Sequence, residues 1–179
     1  MLSSIHMEMH YFTFATAFPV GTLTLAATAR GLAVLSFRGI EEYRGKTGLK
    51  EVNWIESRKE VEPYFDKVDK YLRGESRDLE MRLDLRGTDF QLKCWNALLQ
   101  IPFGETRSYG QMAEVVECPK GFRAVGLANN RNPVAIVVPC HRVIETNGKL
   151  GGYGGGLPAK EWLLNLEGAP LRALAARLF

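Results

Sequence analysis

The periodicity of this 179-residue chain changes near Gly87, and that change limits the fold more than any other feature. Before it the pattern is strand-like. Segments 11–18, 22–28 and 32–37 are rich in Tyr, Phe, Thr and Leu, and the turn signals Pro19-Val20-Gly21 and Ala29-Arg30-Gly31 separate them. Such spacing predicts an antiparallel meander. A charged amphipathic helix is expected over 56–72, stopped by Gly74, with 81–85 returning as a further strand. After Gly87 the signals become helical. Thr88 and Gln91 form a capping box for a helix running to about residue 100, which would bury Phe90, Trp95, Leu98 and Leu99, with Pro102 beyond it. Ser108 is the N-cap of a helix over 109–116. Cys118-Pro119-Lys120-Gly121 breaks that helix, and another spans 122–130. The chain therefore reads as α+β. A strand-rich domain with an antiparallel sheet and a helix covers 1–86, and a mainly helical domain with a helix-turn-helix covers 87–179.

Composition narrows the classes of function. A net charge of +3 permits nucleic-acid binding without requiring it. Cys94, Cys118 and Cys140 are odd in number and form no CxxC, and no Cys/His cluster has zinc spacing, so no metal site is expected. Thiols that need not pair suit a reducing compartment, so the cytoplasm is expected, or the nucleus in a eukaryote. Residues 11–29 lack charge. No Lys or Arg precedes them, however, and Pro19-Val20-Gly21 interrupts them, which argues against a signal peptide or a membrane span. No glycine-rich phosphate loop or other cofactor motif is present.

The chemistry concentrates at Pro139-Cys140-His141-Arg142-Val143. The apolar run 134–138 before it reads as a buried extended segment that would present one sulfur rigidly. A cysteine there is ordinarily a small buried hydrophobe, but with a base beside it the thiol becomes a candidate nucleophile. Helix 122–130 is rich in small residues, including Ala124, Gly126 and Ala128, with Arg123 near its start and Arg131 just past its end. Such a helix can lie close to a neighbouring helix or to a nucleic-acid groove. Asn147-Gly148 marks a tight turn. Gly151-Gly152-Tyr153-Gly154-Gly155-Gly156 follows, either as a flexible linker or as backbone that approaches a flat ligand. Pro158 opens a helix over 159–167 with Gly168 past its end, and Glu161 lies in its first turn. A last short helix is expected over 171–178.

Together these blocks resemble the O6-alkylguanine-DNA alkyltransferases. The likeness runs from about residue 88 to 168 and rests on Ser108-Tyr109, Arg123-Ala124-Val125-Gly126, Asn132-Pro133, Pro139-Cys140-His141-Arg142-Val143, Tyr153 with its glycines, and Lys160-Glu161-Trp162-Leu163-Leu164. The resemblance implies direct-reversal DNA repair, with a single irreversible transfer of the alkyl group from O6-alkylguanine, and by extension O4-alkylthymine, to Cys140. It implies His141 as base through a water, Glu161 orienting His141, Tyr109 bonded to guanine N3 and Asn132 bracing the cysteine turn. Arg123 would enter the stack in place of the flipped base, with Ala124, Gly126 and Ala128 along the DNA. Val143, Tyr153, Gly154 and Gly155 would line the base pocket. Gly154 stands where well-known members have serine. The implied partner is double-stranded DNA carrying the lesion, bound by a monomer that needs no cofactor and no membrane. A non-catalytic alkyltransferase-like lesion-binding protein is the alternative, and it would lack the acceptor cysteine that this chain retains.

Overall fold

The computed structural model describes residues 7–41 and 52–169, which divide into two compact units, Met1–Leu85 and Arg86–Phe179. In the first unit β1 (Met7–Ala15), β2 (Thr22–Thr28) and β3 (Gly31–Ser36) form the expected meander. The sheet is nevertheless mixed, not purely antiparallel. A fourth strand, β4 (Val52–Glu56), pairs parallel to β1 and gives the order β3-β2-β1-β4. Strand β1 also begins four residues before the predicted start, because Met7 to His10 pair with β4 as Met7↔Val52 through His10↔Ile55. Segment 81–85 contributes one bridge, Leu32↔Leu83, in place of a strand. Asp84 in that segment is buried and accepts a hydrogen bond from Thr28 Oγ1 at 2.7 Å, which ties it to the β2–β3 turn.

Helix α1 (Arg58–Leu72) packs on β1 and β2. Phe65 meets Phe12 and Phe14 edge to face, at 6.4 and 4.8 Å between ring centres, a preferred aromatic geometry. Met9, Ala26, Ala33 and Val34 form a second apolar cluster with Met7, Tyr11, Val52 and Trp54.

In the second unit α2 (Asp89–Leu98), α3 (Tyr109–Val115) and α4 (Phe122–Asn130) follow the predicted order. Thr88 and Ser108 both complete capping boxes, with Gln91 and Gln111 as the reciprocal partners. Helix α2 ends two residues early. Leu99 is 38% exposed, so it lies outside the core that Trp95 and Leu98 share. Trp95 Nε1 donates to the carbonyl of Ala128 at 2.9 Å, which fixes α4 against α2. A two-residue strand, β5 (Arg107–Ser108), pairs parallel with β6 (Val143–Ile144). That pairing places the start of α3 beside the exit of a 3₁₀ turn, Cys140–Arg142. Helix α5 (Leu157–Leu166) closes the unit, with Pro158 in its first turn and Gly168 past its end. The helix expected over 171–178 lies outside the described residues.

Candidate active site

The buried apolar run before Cys140 does not form an extended rod. Val134 to Val138 coil into a tight turn, with Val137 N–H donating to Ala135 O, Val138 N–H to Val134 O and Cys140 N–H to Val138 O. Ile136 takes the left-handed region at φ 71°, a conformation β-branched residues rarely adopt. The side chain of Asn132 holds the coil together. Its Oδ1 accepts from Val134 N–H at 3.0 Å, and its Nδ2 donates to Val138 O at 2.8 Å and to Cys140 Sγ at 3.2 Å. Asn132 thus braces both the turn and the sulfur.

Cys140 and His141 are buried. His141 Nε2 lies 3.1 Å from Glu167 Oε1. A carboxylate only accepts, so Nε2 carries the hydrogen and Nδ1 the lone pair. No side chain among the described residues hydrogen-bonds Nδ1. Glu161 is not the orienting carboxylate. It sits in the first half of α5, half-buried, and Glu167 follows six positions later, about 120° around a helix and about 9 Å along it. The two side chains cannot face one imidazole, and it is Glu167, just past the end of α5, that reaches His141.

Glu167 is held from several sides. Arg142 Nε donates to its Oε2 at 2.8 Å and Arg142 Nη2 to its Oε1 at 2.7 Å, a bidentate clamp. Gly104 N–H donates to Oε2 at 3.1 Å. Gly104 has φ +77°, and a Cβ there would meet the Glu167 carbonyl oxygen at 2.8 Å, so only glycine fits this turn. Arg142 is itself anchored by donation to Ile101 O at 2.6 Å.

Electrostatics follow from burial. Desolvation pushes the Cys140 thiol above its ordinary range, opposed by the Asn132 hydrogen bond, the nearby Lys160 charge and backbone N–H groups. Desolvation also holds His141 below its ordinary value, against the pull of Glu167. The resting site is therefore a neutral thiol beside a neutral imidazole, not a preformed thiolate. Lys160 is fully buried and donates to Val143 O at 2.6 Å and to Leu150 O, and burial lowers it to about 8. Sequence alone assigns Lys160 no task, because spacing does not separate a buried lysine with two carbonyl partners from a surface one.

Tyr109, at the start of α3, lies beside this site. Burial raises its pKa first, then the proximity of Cys140 and Glu145, so the phenol keeps its proton. The ring lies between two glycines. Ideal Cβ atoms on Gly126 and Gly151 would come within 3.7 and 3.2 Å of it. Gly126 therefore faces the tyrosine. Tyr153 approaches His141 edge to face, at 6.4 Å between ring centres. At Gly154 nothing lies within 4 Å of the point a Cβ would occupy, so a serine would fit the free protein there. Gly155 belongs to the same loop.

Along α4 the exposed residues are Phe122, Arg123, Ala124, Leu127 and Asn130. Ala128 does not belong to this surface. It is 3% exposed and packs toward Trp95, because its place on the helix turns it to the α2 side.

Comparison with known proteins agrees with this arrangement. Residues 89–169 match the family described as 6-O-methylguanine DNA methyltransferase, DNA binding domain, and residues 9–85 match its ribonuclease-like domain. A methylated-DNA–protein-cysteine methyltransferase of Methanosarcina acetivorans is 44% identical over 90% of this chain and 99% of its own length. A protein of that name from Mycobacterium bovis is 45% identical over 89% of this chain and 92% of its own. The solved structure of Mycobacterium tuberculosis OGT in complex with DNA is 46% identical, with a TM-score of 0.75 over 90% of this chain and 95% of that one.

Proposed function

This chain belongs to the 6-O-methylguanine DNA methyltransferase family, whose members move an alkyl group from DNA onto a protein cysteine, and from that premise we propose the role of each residue in the transfer. Cys140 is the acceptor. Its sulfur attacks the alkyl carbon on guanine O6 in line. The S–C bond forms as the C–O bond breaks, and the electron pair leaves on the base. The thiol proton passes to His141 Nδ1 through a water, and Glu167 orients the imidazole and balances the charge it gains. Tyr109 donates a proton to guanine N3, so the base departs neutral. The proton gained at His141 and the one lost at Tyr109 re-equilibrate through solvent, so no proton is gained or lost overall. Asn132 and Lys160 stabilise the sulfur as negative charge develops on it.

The observation that carries this reading is the Cys140–Asn132–His141–Glu167 constellation, a nucleophile with a base that is itself oriented. The product is a thioether, a poor leaving group, so one molecule repairs one lesion. The substrate is double-stranded DNA carrying O6-alkylguanine, and O4-alkylthymine falls within the same chemistry. Arg123 fills the gap left by the flipped nucleotide, and Ala124 lies along the backbone. Val143, Tyr153, Gly154 and Gly155 line the base pocket. The protein acts as a monomer in the cytoplasm, or in a eukaryotic nucleus, where free thiols persist.

Intact mass after mixing with O6-methylguanine duplex tests the proposal. One methyl per chain is expected on the wild type and none on Cys140→Ser. A methylated Cys140→Ser protein refutes the assignment.

A further inference from the structure

Helix α4 opens with an aromatic side chain in the open. Phe122 is 50% exposed, far more than a core aromatic. The guanidinium carbon of Arg123 lies 5.8 Å from its ring centre. That is cation–π range, and no ion pair or hydrogen bond of the Arg123 side chain occurs among the described residues. The base under this pair is rigid. Gly121, the residue before Phe122, is packed so closely that a Cβ there would meet Cys118 Sγ at 2.4 Å, and its N–H donates to Cys118 O. At the other end Trp95 pins α4 through Ala128.

A free arginine side chain samples many rotamers, and fixing it costs up to ~2 kcal/mol of rotamer entropy before it can enter a base stack. We propose that Phe122 is a positioning residue for Arg123, with its ring serving as the platform that holds the guanidinium extended from the start of α4 toward duplex DNA. The inference rests on the proposed function, in which Arg123 replaces the flipped base. The guanidinium is held over the ring at cation–π distance before it stacks between bases, so the platform preorganises the inserted state.

The experiment compares single-turnover alkyl transfer from an O6-methylguanine duplex with transfer from free O6-benzylguanine, which needs no flipping. Phe122→Ala should slow the duplex reaction about two- to fivefold, the scale of one exposed cation–π contact, and leave the free-base rate unchanged. Phe122→Trp should restore the duplex rate, because indole offers the strongest π face. Phe122→Leu, which keeps apolar bulk without a ring, should stay slow. In an Arg123→Ala background Phe122→Ala should add no further loss, since the two act together. A wild-type duplex rate in Phe122→Ala, restoration by Leu, equal losses on both substrates, or full additivity with Arg123→Ala would each overturn the platform. If the wild type takes no methyl group from the O6-methylguanine duplex, the proposed function falls, and this inference with it.

Discussion

Glu167 occupies a position that helix electrostatics disfavours. A carboxylate just past the C-terminal end of α5 meets the negative end of the dipole, whereas Glu161, expected in the first turn, is the fifth residue of a helix that begins at Leu157 and lies beyond that turn. The family resemblance implies Glu161, and the structure brings Glu167 to His141. The signal is an acid placed against the dipole immediately before the helix-stopping Gly168, which requires compensation from elsewhere. Arg142 supplies it. Cys140 and His141 stand out because they are adjacent at the end of an apolar run, while Tyr109 and Asn132 take their roles from the family resemblance. Glu167 is not legible in the sequence, because its partners Gly104 and Arg142 come from distant parts of the chain. Glu161→Gln should leave the free-base transfer rate within about twofold of wild type. Glu167→Gln should slow it by roughly a hundredfold, within the range of general base catalysis, since the amide can no longer balance an imidazolium. Comparable losses in both variants would show that Glu167 does not orient the base. The pH profile carries an independent prediction. His141 is held below its ordinary pKa, so it stays an available base below pH 6.5, and Cys140, held above its own, keeps its proton well into the alkaline range. Transfer to free O6-benzylguanine should therefore be flat through neutrality, with its acid midpoint under pH 6.5. A midpoint above pH 7 would contradict a depressed histidine. The same sign governs stability: His141 takes nothing from the fold above pH 6.5 and costs stability progressively as pH falls toward its lowered pKa.

At the scale of elements, helices are easier to read than the segment that matters most. Thr88 and Ser108 announce α2 and α3 through side-chain caps that are purely local, and Gly121 marks the start of α4. The run 134–138 has strand composition but no strand to pair with. Its backbone groups bond within the coil and to Asn132 instead. Strand β4 escapes a reading of the sequence for a related reason: five residues that alternate weakly are completed by a parallel partner more than forty residues earlier. The coil depends on Asn132, whose amide satisfies one backbone donor and one backbone acceptor. Asn132→Ala should leave Val134 N–H unsatisfied, at about 1–3 kcal/mol when buried, while Val138 O keeps the N–H of Cys140. With about 2–4 °C per kcal/mol for a chain of this size, the melting temperature should fall by about 2–12 °C. Transfer should slow as well, since Sγ loses its donor. Calorimetry beside a free-base assay checks both. A melting temperature unchanged within a degree would mean that the coil stands without its brace.

The whole molecule spends its acceptor once, and the structure links that event to its stability. Cys140 lies in a coil whose Asn132 brace also bonds the sulfur, and the surrounding Val134, Ile136 and Val138 are fully buried. Alkylation adds a carbon to this sulfur. It replaces a thiol that packs at 8% exposure with a larger thioether, a weaker hydrogen-bond acceptor than the thiolate that forms during attack. Adding a methylene-sized group to a packed interior typically costs about 1–3 kcal/mol in displaced side chains. The strain reaches the Asn132 amide first, then the turns of 134–138 that it holds, and then His141 and the Glu167–Arg142 clamp. All of these belong to the unit Arg86–Phe179. The methylated protein should therefore melt about 2–10 °C below the unmodified one, and the benzylated protein lower still, because the added volume is greater. Amide exchange should locate the loosening in residues 132–143, while the β1–β4 sheet keeps its protection. Equal melting temperatures for the free, methylated and benzylated chains would show that the pocket accommodates the alkyl group without strain. In that case the coil would not transmit the alkylation of Cys140 to the rest of its unit.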